Sequence, residues 1–279
     1  MKINWFPGHM KKTLDELKNK IKLVDCVIYV LDARAPVSCL NPEIDEIVEN
    51  KPVLYVLSKS DLASASLTKK FIDKMKQDNK NVVALNLSNN NSKTILIDEM
   101  TNMLSKKLQK NEQKQLSPVY KFMIIGVPNT GKSTLVNMLS PIKKAVTGDK
   151  AGVTKQLQWV KIANNFALLD TPGSLWPNIH NQEIALKLAF IGSIKDDVLD
   201  MTELGFELVK FLVRNNLDLM QKRFPGVDFF VDDNIYYEEI GKKRGAIIKG
   251  GEVDYDRLGK LVINDYRTGK IGQITLDKV

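Results

Sequence analysis

The sequence predicts an α/β fold, with a mostly parallel sheet followed by a smaller helical domain. Three apolar runs rich in β-branched residues precede a glycine-rich turn: Leu23 to Leu31, Val53 to Leu57 and Val82 to Leu87. Segments with helical spacing separate these runs. Continuous apolar strands that alternate with helices are typical of a parallel sheet covered on both faces. We expect the sheet domain over residues 1–178 and the helical domain over residues 179–279.

The remaining elements follow the same two periodicities. Two further strands are expected, at Phe122 to Ile125 and Phe166 to Leu169. Helical spacing indicates four segments, at Leu67 to Met75, Ile95 to Leu108, Ile184 to Ile191 and Glu203 to Asn216. A last helix is expected to be capped by Asp254 and to end before Gly269. The polar stretch 111–118 is expected to be a linker. Residues 241–245 and the pair at 250–251 are expected to be exposed turns.

Composition favours a globular protein without a membrane span. Of the 279 residues, 43% are hydrophobic and 27% are charged, and no apolar run approaches the ~18 residues of a span. The start also lacks an apolar signal-peptide stretch, so we expect the cytoplasm. The two cysteines, Cys26 and Cys39, have neither a metal-site spacing nor a disulfide framework. Net charge is +6 over residues 1–125, +3 over 126–184 and −1 over 185–279, which leaves contact with nucleic acid open.

The most specific motif is the glycine-rich turn Gly126-Val127-Pro128-Asn129-Thr130-Gly131-Lys132-Ser133. It follows an expected strand and opens an expected helix, which is the context of a phosphate-binding P-loop. Glycines let the backbone N–H groups point at a polyphosphate, and the helix dipole and a lysine add positive potential. The predicted phosphate ligands in and after this turn are Asn129, Thr130, Gly131, Lys132, Ser133 and Thr134.

Two segments beyond the turn predict a site for a magnesium nucleotide. Asp170 and Gly173 end an expected strand, where the carboxylate can hold Mg²⁺ through water and the glycine N–H can reach a γ-phosphate. Ser133 has the hydroxyl that usually completes the magnesium shell. Thr154, in the segment Ala151-Gly152-Val153-Thr154-Lys155, can offer its hydroxyl to the metal as a switch residue does. Without its neighbours, a threonine at position 154 is more typical of an ordinary turn.

A carboxylate early in the chain is predicted to select the base. The strand Val53 to Leu57 runs into Ser58-Lys59-Ser60-Asp61, where GTPases have Asn-Lys-x-Asp, and Asp61 can accept the N1–H and N2–H donors of guanine. A loop at the end of the next strand is expected to back the base. The predicted guanine contacts are Ser58, Lys59, Asp61, Asn86, Leu87 and Ser88. The alternative for Asp61 is an ordinary surface residue of a loop.

The base-reading segment thus precedes the phosphate-binding one, an order that circular permutation of a GTPase would produce. With Trp5-Phe6-Pro7-Gly8-His9-Met10 and Asp32-Ala33-Arg34-Ala35-Pro36, this order resembles the circularly permuted GTPases, and within them the bacterial ribosome biogenesis GTPase A subfamily. Residues 250–254 and 265–270 resemble the C-terminal domain of that subfamily. The resemblance implies GTP hydrolysis during late maturation of the large ribosomal subunit, stimulation by the particle, and contact of the helical domain with ribosomal RNA. GTP and GDP are then the small-molecule partners, and we expect a monomer.

The sequence departs from the usual GTPase pattern near the catalytic position. Small GTPases orient water with a Gln after Asp-x-x-Gly; Ser174 stands there, where the subfamily usually has a bulky apolar residue. The resemblance makes His9 the expected water-orienting catalytic residue, since an imidazole accepts a hydrogen bond near neutral pH. From the residues alone, an exposed or helix-capping histidine is the alternative. Ser58 stands where GTPases usually have Asn, which predicts a lower affinity for guanine. Ala151 stands where a proline is common, which predicts a less rigid loop.

Further cation and RNA contacts are predicted from single residues. In several GTPases an Asn at the position of Asn129 coordinates K⁺, whose charge can serve where an arginine finger would. The alternative is an Asn that suits the backbone of the turn. The predicted RNA contacts are Lys11, Lys12, Lys242, Lys243 and Arg244. For each of these clusters a solvated charged face is the alternative.

Three functions are consistent with these patterns. The first is a GTPase that acts as a checkpoint in the assembly of the large ribosomal subunit. The second is a regulatory module whose nucleotide state gates a protein partner, with negligible turnover. The third is a P-loop kinase or ATPase, which requires a site that tolerates adenine.

Overall fold

The computed structural model describes residue 3 and residues 9–140, 158–162, 165–171, 173, 179 and 181–279, with the backbone alone for 9–13 and 158. The predictions for Thr154 and Ser174, and for the side chains of His9, Lys11 and Lys12, therefore lie outside the described residues. Within that part of the chain, no helix is long and apolar enough to cross a bilayer.

The described strands form one six-stranded sheet in the order β3-β2-β1-β4-β6-β5. They are β1 (Cys26–Asp32), β2 (Val53–Ser58), β3 (Asn81–Leu85), β4 (Tyr120–Ile125), β5 (Gln158–Lys161) and β6 (Phe166–Asp170). Neighbouring strands are parallel except for β5, which pairs antiparallel with β6. The predicted mostly parallel sheet is confirmed. The short edge strand β5 was not expected.

The described helices are eleven in number and cover the sheet or follow it. They are α1 (His9–Lys20), α2 (Pro42–Val48), α3 (Ala65–Gln77), α4 (Asn91–Met103), α5 (Ser105–Gln113), α6 (Lys132–Leu139), α7 (Gln182–Phe190), α8 (Met201–Asn215), α9 (Leu217–Arg223), α10 (Asp233–Lys243) and α11 (Tyr255–Arg267). The helix expected over residues 95–108 is two helices, because the chain leaves helical angles at Leu104. The expected linker at 111–118 is helical as far as Gln113. Asp254 caps α11 as predicted.

The central position of β1 brings the functional loops to one edge of the sheet. It pairs with β2 on one side and with β4, the strand before the P-loop, on the other. Asp32 and Ser58 are paired across β1 and β2, while Asp170 pairs with Ile124 across β6 and β4. The loops that follow these parallel strands therefore lie along the same carboxyl edge, which is where ligands bind in open α/β sheets.

The two faces of the sheet belong to two hydrophobic clusters. Cys26, Ile28 and Val30 of β1 pack into a cluster with residues of α4 and α6. The alternate residues Val27 and Tyr29 face a second cluster, which also contains residues of α1, α2, α3 and every helix from α7 to α11. One core thus runs from this face of the sheet through the helical region, while the boundary between residues 178 and 179 stays a prediction. Cys26 and Cys39 are both buried free thiols.

The prediction of an exposed turn over residues 241–245 is partly wrong. The helix α10 continues to Lys243, and Gly241 is buried within it. A Cβ at Gly241 would lie 2.6 Å from Cγ1 of Val253, so this glycine permits close packing and does not mark a turn. The turn at Gly250 and Gly251 is confirmed, since both adopt positive φ angles.

Candidate nucleotide site

The glycine-rich turn has a backbone that few other residues can adopt. Gly126 has a φ of 146°, and a Cβ there would lie 2.3 Å from the Val30 carbonyl oxygen. Asn129 and Gly131 follow with φ angles of 61° and 88°, and α6 begins at Lys132. The turn therefore curls directly into a helix N-terminus, as the sequence predicts. This arrangement directs backbone N–H groups and the helix dipole toward one point.

Lys132 lies within the curve of the turn. Its Nζ donates to the carbonyl oxygens of Gly126 at 3.0 Å and Val127 at 2.8 Å. Burial lowers the pKa of Lys132 to about 8, although the charge of Asp170 acts in the opposite direction. A phosphate placed near this ammonium would restore the charged form, because an opposite charge raises the pKa of a lysine.

The segment after β6 lies against the same turn. Asp170 is fully buried at the end of β6, and its charge acts on Lys132. A Cβ at Gly173 would lie 2.7 Å from Cα of Pro128 and 2.9 Å from Lys132 Nζ. Only glycine permits this approach, so the structure brings Gly173, Asp170 and Lys132 together as predicted. Ser133 lies in the first turn of α6.

The loop after β2, residues 58–64, is called the base-reading loop after its predicted role. It contacts the P-loop directly, although the two are about 70 residues apart in the chain. Ser58 Oγ lies 2.7 Å from the Thr130 carbonyl oxygen, to which it can donate. Lys59 Nζ donates to the carbonyl oxygen of Asn129 at 2.6 Å. Asp61 is exposed two residues further on, in a turn closed by Leu62 N donating to the Lys59 carbonyl. The two halves of the permuted site therefore meet.

The loop after β3 completes this side of the site. Leu87 Cδ1 would lie 3.1 Å from a Cβ at Gly131, so Leu87 contacts the P-loop. Ser88 N donates to Asn86 Oδ1 at 2.9 Å, and Ser92 Oγ donates to the Asn86 carbonyl at 2.6 Å. These bonds fix the loop that the sequence predicts behind the base.

A buried ion cluster lies beneath the base-reading loop and was not predicted from the sequence. Asp32 accepts two hydrogen bonds from the Arg34 guanidinium, at 2.9 and 2.7 Å, and lies 3.2 Å from Lys59 Nζ. Burial would raise the pKa of Asp32, but the charges of Arg34 and Lys59 hold it well below its usual value. The carboxylate thus holds Lys59 where it reaches the P-loop. The sequence could have indicated Asp32, because this residue ends a strand at the edge of the sheet where ligands bind.

The helical region reaches the P-loop through the residues after α7. Ser193 Oγ donates to the Pro128 carbonyl at 2.7 Å, and Asn129 Nδ2 donates to the Ile191 carbonyl at 3.4 Å. Gly192, between them, has a φ of 80°, and a Cβ there would lie 2.9 Å from Asn129 Nδ2. Arg267 of α11 binds this segment from behind, through the carbonyls of Ala189 and Phe190.

The basic residues predicted to contact RNA are partly engaged within the protein. Lys242 pairs with Glu238 at 2.7 Å on the exposed side of α10. Lys243 Nζ donates to the Pro225 carbonyl at 2.9 Å. Arg244 pairs at 3.0 Å with the buried carboxylate of Asp265, so its guanidinium stabilises the helical region.

Comparison with known proteins identifies the family. Residues 121–222 match the family model described as 50S ribosome-binding GTPase. Ribosome biogenesis GTPase A of Bacillus licheniformis is 38% identical to this chain over 100% of this chain and 99% of its own length. The protein of the same name from Bacillus pumilus is 37% identical over the same shares. The chain belongs to the ribosome biogenesis GTPase A family.

Solved structures of GTPases from this family share the fold. A GDP-bound YlqF is 26% identical, with a TM-score of 0.70 over 94% of this chain and 98% of that one. GNP-bound YlqF from Thermotoga maritima is 25% identical, with a TM-score of 0.68 over 96% and 98%. The order in which the base-reading loop precedes the P-loop is consistent with the circular permutation of the YlqF family.

Family membership makes the chain a GTP hydrolase of ribosome biogenesis that binds GTP and GDP. GTPases generally use Mg²⁺, and the donor set here fits that ion. Asp170 and Ser133 supply a carboxylate and a hydroxyl, the hard oxygen ligands that Mg²⁺ prefers, and they flank Lys132 at the phosphate end of the site. Which residues bind each part of the nucleotide stays a prediction.

Proposed function

We propose that this GTPase assists late maturation of the large ribosomal subunit in the cytoplasm, contacting the precursor particle and its ribosomal RNA. The observation that carries the nucleotide part is the contact between Lys59 Nζ and the Asn129 carbonyl, 2.6 Å apart, which joins the two separated motifs into one site. The family description as a 50S ribosome-binding GTPase and the names of the relatives support the ribosomal part.

In this proposal each loop has one task. Asp61 accepts the N–H donors of guanine, while the loop Asn86 to Ser88 lies behind the base. Lys132 and the N–H groups of the P-loop bind the phosphates, and Ser133, Thr154 and Asp170 hold Mg²⁺. His9 orients the attacking water, and the particle stimulates hydrolysis by completing the arrangement around it.

Asn129 is the proposed K⁺ ligand. Its Nδ2 donates to the Ile191 carbonyl, so its amide oxygen is directed away from that carbonyl and is available to a cation. A monovalent cation there would add positive charge next to the β- and γ-phosphates as hydrolysis proceeds.

The helical region is the proposed RNA-contacting part. Lys242 and Lys243 are exposed at the end of α10, where phosphate contacts would add salt-dependent affinity. Arg244 contributes there mainly by keeping the end of α10 in place through Asp265.

The first test is GTP hydrolysis in K⁺ buffer, with and without purified large subunits. We expect slow turnover by the protein alone and a large acceleration by large subunits but not small ones. His9→Ala should lose the acceleration while keeping its affinity for GDP, because the imidazole acts on water and not on binding. Equal rates with and without large subunits would contradict the ribosomal proposal.

The second test concerns base selection. Asp61→Asn exchanges an acceptor for an amide, so GDP affinity should fall at least tenfold, the loss expected for a hydrogen bond to a charged group. Affinity for xanthosine diphosphate, whose 2-oxo group accepts a hydrogen bond, should rise. Asp73→Asn, an exposed change on α3, is the matched control. Unchanged GDP affinity in Asp61→Asn would remove this residue from the site.

A further inference from the structure

The chain after α11 runs along the base-reading loop. Three hydrogen bonds join the two segments: Gln273 Nε2 to the Asp61 carbonyl at 2.9 Å, Ile274 N to the Leu62 carbonyl at 3.1 Å, and Ser64 N to Thr275 Oγ1 at 3.1 Å. Three successive residues of this segment therefore hold the backbone at the predicted guanine-reading residue, Asp61, and just after it. In addition, a Cβ at Gly269 would lie 2.9 Å from Leu62 Cδ2, which shows how closely the segment approaches the loop.

This C-terminal segment, residues 269–277, is itself firmly anchored. Ile271, Ile274 and Leu276 are buried. Leu276 N donates to the Arg34 carbonyl at 2.6 Å, so the segment also touches the loop that carries the Asp32 ion cluster. The carboxylate of Asp277 accepts hydrogen bonds from Ser38 N and Oγ and pairs with Lys187 at 3.2 Å. The segment can therefore act as a fixed support.

The base-reading loop needs such a support because its own geometry is unfavourable. Lys59 has a φ of 53°, a left-handed angle that costs a non-glycine residue free energy. The side chain of Asp61 is exposed, so its position follows from its backbone and not from packing. A carboxylate that accepts two donors from one ligand must be held to within about 0.5 Å.

We propose that the C-terminal segment determines guanine specificity, with Gln273 and Thr275 as positioning residues: Gln273 acts through the backbone of Asp61, and Thr275 through that of Ser64 in the same loop. The proposal rests on the assignment of Asp61 to guanine. Guanine offers N1–H and N2–H to the carboxylate, whereas hypoxanthine lacks the 2-amino group and offers N1–H alone. Accurate placement of Asp61 therefore raises the affinity for a guanine nucleotide more than the affinity for a hypoxanthine nucleotide.

The experiment compares the dissociation constants of GDP and inosine diphosphate by titration calorimetry. Gln273→Ala and Thr275→Val should each weaken GDP about fivefold, the effect of about one hydrogen bond. Inosine diphosphate should weaken less, so the preference for GDP should narrow. Gln221→Ala, an exposed glutamine on α9, is the matched control and should leave both constants unchanged.

The preference ratio separates positioning from general support. An unchanged ratio of the two dissociation constants would overturn the proposal, because a loss of folding stability weakens the binding of both nucleotides equally. Gln273→Met keeps the length of the side chain without the donor, and it decides the question if Gln273→Ala does not fold. If Asp61→Asn leaves GDP binding unchanged, the guanine assignment itself fails. If Asp61→Asn weakens GDP but the Gln273 variants keep the wild-type ratio, only the present proposal fails.

Discussion

The two loops of the nucleotide site are supported in different ways. The phosphate-binding loop (the P-loop, residues 126–133) has hydrogen bonds between its own residues, in addition to those with the base-reading loop and with the segment after α7. Lys132 donates to the carbonyls of Gly126 and Val127, and Thr130 Oγ1 donates to that of Val127 at 3.0 Å. These partners are six, five and three positions apart. These short-range bonds help the loop to keep its shape between the strand and the helix that flank it.

The base-reading loop, residues 58–64, depends on distant parts of the chain. Lys59 is held by Asp32 at the end of β1, and the Asp61 carbonyl is held by Gln273, which lies 212 positions away. The base-reading loop lies early in the chain, whereas the segment that supports it lies near the far end. The phosphate-binding loop combines internal bonds with tertiary contacts, whereas the base-reading loop depends more heavily on the tertiary fold.

The largest effect is expected where the distant support is ionic. Asp32→Asn leaves Arg34 and Lys59 buried or partly buried without their common carboxylate. We expect the free energy of unfolding to fall by about 3–5 kcal/mol, as it does when one partner of a buried ion pair is removed. Urea unfolding measures this. Asp25→Asn, which removes an exposed pair with Lys107, should cost no more than about 1 kcal/mol.

The same cluster has a defined pH dependence. Since the pKa of Asp32 is lowered in the folded protein, its stabilisation is fully present above its unfolded pKa of about 3.9 and is lost as pH falls through the folded value. The difference in the free energy of unfolding between the native protein and Asp32→Asn should therefore be constant between pH 5 and pH 8. A difference that changes steadily over this range would contradict a paired, ionised Asp32.

A smaller effect is expected from strain within the phosphate-binding loop. Gly126→Ala places a methyl group against the Val30 carbonyl at a φ of 146°. Strain and overpacking should lower the free energy of unfolding by about 2–4 kcal/mol and abolish tight GDP binding. Gly245→Ala tests the backbone angle alone, because Gly245 has a φ of 67° and nothing within 4 Å of a Cβ. It should cost about 1–2 kcal/mol and leave GDP binding intact; an equal loss in both variants would rule out the steric explanation.

The contrast between the loops also explains what the sequence could predict. The P-loop, the strand before it and the pair Asp170 and Gly173 were recognisable because their chemistry is contiguous and follows apolar strands. Asp61 could be predicted as the base-reading residue because it lies in the loop that follows β2. The sequence did not predict a role for Gln273, because a glutamine outside helices and strands has no recognisable pattern. Its contact with the Asp61 carbonyl becomes visible only in the folded structure.

Two errors concerned helices. Gly241 predicted a turn, yet it allows α10 to pack closely against Val253, and sequence alone does not distinguish these two uses of glycine. The helix α2 was missed although Asn41 caps it and Pro42 begins it, which is a recognised start signal. The first error needed tertiary contacts to correct, while the second did not.

The smallest effect is expected at one of the distant contacts of the phosphate-binding loop. Ser193 is fully buried and donates to the Pro128 carbonyl, so Ser193→Ala should cost about 1 kcal/mol in stability and about fivefold in GDP affinity. Ser117→Ala, in an exposed segment, is the matched control for calorimetry with GDP. Because this loop also has hydrogen bonds between its own residues, Ser193→Ala should disturb it less than Asp32→Asn disturbs the base-reading loop. A loss at Ser193 as large as that at Asp32 would show that the phosphate-binding loop also depends on the helical region for its shape.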